Sequence, residues 1–168
     1  MFYELDDKLA NLFYETVSLI TGLDEYGNET VGLGYYRYRA IEFLVNEEDK
    51  KIYGNVQSIS TLLSAIMKTL LVKRLESSFF AFTQSIHRLQ RAIDNMIDMF
   101  QNDRVFIAPD LDINKLLEDG LSYDEIEAKI NEKGGNNKEF KSADFHPNFI
   151  KLLKSDKKKV GRFGFTLE

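Results

Sequence analysis

Between Lys68 and Arg91 the chain places five bases, Lys68, Lys73, Arg74, Arg88 and Arg91, against one acid, Glu76. Lysine and arginine along a helix neutralise phosphates, which gives sequence-independent, salt-sensitive binding to a nucleic-acid backbone. The bases at 73, 74, 88 and 91 lie off the apolar stripe of Leu75, Phe79, Phe82, Ile86 and Leu89, so a helix presents them on a polar face. Charge alone favours a plainer reading, in which that face is solvated and opposes acidic parts of the same chain.

Other chemistry is poorly provided for. The 168 residues contain no Cys, which removes disulfides, thiolate metal sites and cysteine nucleophiles. The two histidines, His87 and His146, are far apart in sequence and suggest neither a metal site nor a catalytic triad. A phosphate-binding loop needs glycines followed by Lys and Ser or Thr, and the chain has no Gly-Lys pair. Asp24-Glu25 resembles an ATPase acidic pair but falls in a polar loop after a helix. Asp110, Asp112 and Asn114 match the opening of a calcium loop, but Lys115 holds the glycine position and Leu121 the bidentate glutamate position. Asp112 reads better as a helix cap. Paired carboxylates abound, all on charged faces without an apolar pocket to raise a pKa.

The net charge of −5 conceals segregation. Residues 1–30 carry seven acids and one base, and residues 110–139 nine acids and four bases; residues 147–164 carry six bases and one acid, Asp156. A local basic patch can bind a polyanion on a globally acidic protein. The length, 43% apolar content and two prolines suit one helical domain with a single core. No basic and apolar leader opens the chain and no run approaches 18 apolar residues, so a soluble, cytoplasmic protein without membrane contact is expected.

The elements that must carry the bases are long helices. Leu5, Leu9, Leu12, Phe13, Thr16, Val17 and Ile20 share a helical face over Glu4–Ile20, with Gly22 just beyond it. Leu33–Val45 fits helix or strand, and helix is favoured, fraying into a loop at the charged run 46–51. Val56, Ile59, Leu63, Ile66 and Leu70 form a 3-4 stripe. After a phase break at Leu71–Arg74, a heptad seam follows at Leu75, Phe79, Phe82, Ile86, Leu89, Ile93, Met96 and Phe100. Ser77 and Ser78 are available to cap a new helix there. Such a seam signifies packing against helices, in a bundle or in a dimer. Arg104–Ala108 is a short extended candidate. Short helices are expected near Ile113–Asp119 and Tyr123–Glu132, the second capped by Ser122, with Gly134 and Gly135 as a break. A last short helix spans Asp144–Lys154 with Pro147 in its first turn. The basic tail 156–168 lacks context to fold, and Leu167-Glu168 reads as the remnant of a vector-encoded tag.

The stretch Leu70–Phe82, LLVKRLESSFFAF, resembles the Leu-x-x-Arg-Leu-Glu-Ser-Ser-x-x-Ala-Phe pattern of bacterial Swi/Snf-type helicase-like proteins of superfamily two. Tyr35–Leu44 (YYRYRAIEFL) and Phe106–Pro109 (FIAP) are similar to segments on either side of that pattern. The resemblance covers most of residues 1–155 and implies the helical region that connects the two RecA-like lobes. It carries over Arg74, Leu75, Glu76, Ser77, Ser78, Ala81 and Phe82 as motif positions with a structural role. The family's Walker A loop, Asp-Glu-x-His box and arginine finger are missing, so it implies a fragment without either ATPase lobe.

These readings combine into a set of expectations. The fold is mainly α, an irregular helical bundle around a long heptad-patterned helix or helix pair, with at most one short strand. One domain is divided into N-terminal helices (1–54), long helices (55–102), short helices (103–155) and the basic tail (156–168). Its expected role is that of an accessory domain of an ATP-dependent DNA helicase or translocase. The chain itself has no catalytic residues, no metal and no cofactor; ATP and magnesium belong to the parent protein. Its expected partners are the flanking ATPase lobes and DNA. The alternative is a helical protein-interaction or dimerisation module that uses the heptad seam.

Overall fold

The computed structural model describes residues 7–54 and 56–167. Among them the fold is mainly α, with seven helices and one two-stranded antiparallel ribbon. Helix α1 (Asp7–Thr21) begins on an acid, favourable at the positive end of the helix dipole, and stops at Gly22, whose φ of 73° is the left-handed conformation glycine permits. Thr16 and Ile20 are buried as the spacing requires; Leu5 and the Leu9 side chain lie outside the described residues.

The long region forms a hairpin of α3 (Val56–Ser77) and α4 (Phe79–Gln101), each about 33–35 Å long at 1.5 Å per residue. The chain does not break at Leu71–Arg74. Helix α3 runs through that stretch, and the corner is the single extended residue Ser78, whose hydroxyl accepts the Ala81 N–H at 3.2 Å. The phase break marks a change of buried face. Of the expected α3 stripe, Leu63 and Ile66 are exposed, and Val56 and Ile59 have side chains outside the described residues. The buried face carries Ser60 and Leu71 instead, with Met67 packed against the core. In α4 the seam is real: Phe82, Ile86, Leu89, Ile93 and Met96 are buried in the chain's own core, while Phe79, at the helix start, is exposed.

What α4 packs against is the segment expected to be a loose tail. Helix α7 (Asn148–Leu167) continues well beyond Lys154 and lies antiparallel to α4. Phe82 meets Phe163 edge-on at 5.9 Å near one end, and Phe100 meets Phe149 at 5.4 Å near the other. Asp156, Val160 and Phe163 are all buried. Glu168 lies outside the described residues.

Leu33–Val45 is no α-helix but two 3-10 turns, Tyr36–Tyr38 and Ala40–Phe43. Tertiary bonds take the backbone groups a helix would use. The Asp156 carboxylate accepts the N–H groups of Gly34 (2.8 Å) and Tyr36 (3.0 Å), and the Phe43 carbonyl accepts the His146 N–H at 2.8 Å. Tyr35 is held at φ 56°, with its hydroxyl donating to the Ile20 carbonyl at 2.5 Å. A Cβ on Gly34 would stand 2.2 Å from the Tyr36 ring, so any other residue there would have to displace that ring. The charged run after this segment forms its own short helix, α2 (Glu47–Ile52), capped by Asn46.

The remaining elements frame the open end of the hairpin. Strand β1 (Val105–Ile107) pairs with β2 (Lys138–Phe140), with Val105 opposite Phe140. Between them lie α5 (Ile113–Glu118), capped by Asp112, and α6 (Tyr123–Lys133), whose Ser122 and Glu125 form a capping box. The buried Tyr53 hydroxyl has no hydrogen-bond partner, and burial pushes it up to about 12. Replacing Tyr53 with phenylalanine removes an unsatisfied polar group. The variant is expected to melt at the same temperature or higher, with a gain of up to about 1 kcal/mol; a clear loss in thermal denaturation would show that the hydroxyl is satisfied.

Candidate nucleic-acid interface

Three of the five candidate bases converge. Arg74 near the end of α3, and Arg88 and Arg91 on α4, line one groove of about 600 Å³. The antiparallel hairpin brings this about, since residues on either side of the Ser78 corner face one another. Arg74 is fixed by donating from Nη1 to the Ser85 hydroxyl, a side chain buried between the helices. Arg88 is exposed. Arg91 reaches across to Glu118 on α5, Nε to carboxylate oxygen 3.4 Å, with both side chains more than half exposed. Such a pair is weak, so a competing phosphate could displace Glu118 at modest cost.

The other two bases point elsewhere. Lys73 is exposed on α3 and absent from the groove lining. Lys68 is half-buried, its ammonium 5.6 Å from the centre of the Tyr35 ring in a cation–π contact. Lys115 adds a base to the groove, while Asp112, Glu118 and Asp119 form an acidic rim. The acidic block therefore does oppose the basic helix, but only along one side.

The motif positions surround the hairpin corner. Ser77 Oγ donates to the Lys73 carbonyl at 2.8 Å, Ser78 caps α4, Phe82 is fully buried against Phe163, and Leu75 packs on the core. Glu76 is exposed, and Ala81 is the residue whose N–H the cap receives.

Sequence reasoning overlooked three charged residues that structure makes central. Arg104, just before β1, binds three carboxylates at once: Glu139 and Asp124 at 2.6 Å and Glu127 at 2.7 Å. Three of the nine acids of residues 110–139 are thus paired by one base from outside the basic blocks. Asp156 organises the Gly34–Tyr36 turn, and the available signal was its position as the lone acid in a basic run. Arg37 lies in a separate pocket beside the groove, where burial pushes its guanidinium down against the pull of Tyr38 and Asp112. Among the described residues no group of three or more acids or histidines is placed to hold a metal ion, and no helix is long and apolar enough to cross a membrane. Comparison with protein-family models, curated proteins and solved structures returns no match.

Proposed function

We propose that this chain is an accessory helical domain of an ATP-dependent DNA helicase or translocase, linking its two ATPase lobes, and that the Arg74–Arg88–Arg91 groove rests on the nucleic-acid backbone. The observation that carries the second part is the convergence of three arginines from two helices on one open groove, one of them pre-positioned by Ser85. Arginine in that arrangement suits bidentate contacts to phosphate. The first part rests on the resemblance around RLESS. Here that element forms a tight corner between two long helices, a stiff lever suited to transmitting lobe closure. ATP and magnesium act in the parent lobes; this chain supplies no residue to either.

The test is DNA binding by the purified chain, followed by fluorescence anisotropy across a salt series. Binding is expected to weaken steeply with salt, and joint charge reversal at Arg88 and Arg91 to weaken it at least about tenfold and flatten the salt slope. Unchanged affinity in that double variant would remove the groove from the proposal, and robust ATP hydrolysis by the chain alone would overturn the accessory role.

A second reading has its own observation. Leu62, Leu63 and Ile66 leave an exposed apolar stretch on α3, of the kind that meets another protein, and Phe79 and Phe80 are exposed separately at the hairpin corner, roughly 18 Å away along α3. A tight assembly in sedimentation, indifferent to DNA, would favour that interaction module.

A further inference from the structure

Helix α7 decides what becomes of each charge in the basic block 147–164. Its one acid, Asp156, is turned inward and buried with Phe149, Leu153, Val160 and Phe163. Two bases are already engaged: Lys157 pairs with Asp94 on α4 at 2.9 Å, and Lys159 donates to the Gly32 carbonyl. Arg162 lines a pocket with Glu15, Asp24 and Glu25. The remaining three, Lys151, Lys154 and Lys158, are exposed, and among the described residues none of them forms an ion pair. Spacings of three and four residues put them in one row on the face opposite the buried one, over about 10 Å of helix axis. Such a row is unfavourable to the chain alone. Like charges at these spacings repel, and Lys151, the fourth residue of the helix, stands one turn from its positive end. The one acid that could offset them is buried, and a polyanion laid along the row supplies the missing charge.

We infer that this lysine row on α7 is a second contact for the phosphate backbone of duplex nucleic acid, separate from the arginine groove. The surroundings of the row select that partner. A membrane surface takes up a helix by its apolar face, and that face of α7 lies inside the core. A protein interface has an apolar centre depleted of lysine, and among the described residues no large apolar side chain of α7 is exposed. A single strand is held by bases stacked on aromatic rings, and the described rings of α7, Phe149 and Phe163, are both buried. A duplex backbone needs none of these, only bases in a line. The choice of nucleic acid rests on the reading proposed above; the row itself shares no residue with the groove.

The test is fluorescence anisotropy of duplex DNA with the full chain across a salt series, comparing the parent with a variant carrying Lys151→Gln, Lys154→Gln and Lys158→Gln. That variant is expected to bind at least about tenfold more weakly near about 50 mM salt, with the slope of log affinity against log salt flattened by about 2–3. Arginine at the same three positions keeps the charge and should hold the affinity within about twofold. The glutamine variant should melt at the same temperature or higher, because repulsion is relieved. Unchanged DNA affinity in the glutamine variant, a clear drop in its melting temperature, or an arginine variant as weak as the glutamine one would each overturn the proposal. So would row-dependent binding to phosphatidylserine vesicles with none to duplex. Row and groove are separable: a loss in the glutamine variant with none on charge reversal at Arg88 and Arg91 removes the groove and keeps the row. The converse removes the row, and a chain that binds no duplex at that salt removes both.

Discussion

Replacing Asp156 with alanine is expected to lower stability by about 3–5 kcal/mol, because two buried backbone donors lose their partner at about 1–3 kcal/mol each and a helix–loop connection is lost with them. The carboxylate is 1% exposed and accepts from Gly34 with one oxygen and from Tyr36 with the other. Beside it the Lys159 ammonium donates to the Gly32 carbonyl at 3.0 Å, so α7 grips the turn at two points. Asparagine keeps one acceptor and should cost roughly half as much. The pH dependence has a definite sign. Burial pushes the Asp156 carboxyl above its ordinary value, against the pull of the Gly34 and Tyr36 N–H groups and Lys159. The folded state therefore holds the proton more readily, and stability falls as pH rises from the unfolded value through the folded one. The Asn variant lacks this contribution, so its deficit against the parent chain should be largest at the acid end and shrink as pH rises. Chemical denaturation across that range measures both effects; an alanine deficit below about 1 kcal/mol would show the two donors to be otherwise satisfied.

Arg104→Met is the second large effect, expected to lower the melting temperature clearly at low salt. The guanidinium uses Nε, Nη1 and Nη2 on three different acids from β2 and α6, and its carbon lies 5.8 Å from the Phe106 ring centre. The contributions are unequal. Asp124 is 87% exposed and adds little in water, whereas Glu139, at 23%, shares a half-buried contact with an arginine side chain 24% exposed. Methionine keeps much of the packing and removes the charge, leaving the three carboxylates to repel one another. Added salt should therefore recover part of the loss by screening that repulsion. Faster amide exchange confined to Tyr123–Lys133 and β2 would locate the effect. A deficit that salt leaves unchanged would mean that packing, and not charge, is what Arg104 supplies.

Local rules made much of the fold legible. Ser122 with Glu125, Asp112 before Ile113, and Gly22 after α1 act through bonds between near neighbours in sequence, so spacing alone locates them. The α4 seam was legible because a heptad repeat specifies a buried stripe on whatever helix carries it. The α3 stripe misled for the same reason reversed: periodicity shows that a helix has an apolar face but not whether the chain supplies a cover. Among the described residues Leu63 and Ile66 remain exposed. For the candidate site, sequence placed all five bases on one stretch. Only the turn at Ser78 decided that Arg74, Arg88 and Arg91 share a groove, and only the packing of α3 on the first 3-10 turn set Lys68 over the Tyr35 ring.

The sequence by itself determined a mainly helical chain, its caps, its long paired helices and the absence of cysteine and of a Gly-Lys phosphate-loop motif, since all of these follow from residue type and short spacing. Tertiary structure alone decided that α7 is core and not tail, that Leu33–Val45 is a turn held by Asp156, 120 residues or more away, and that Arg37 faces a pocket. These depend on contacts between segments remote in sequence. A residue's neighbours along the chain carry no record of such partners, and the partners set whether a charge is solvated, paired or buried.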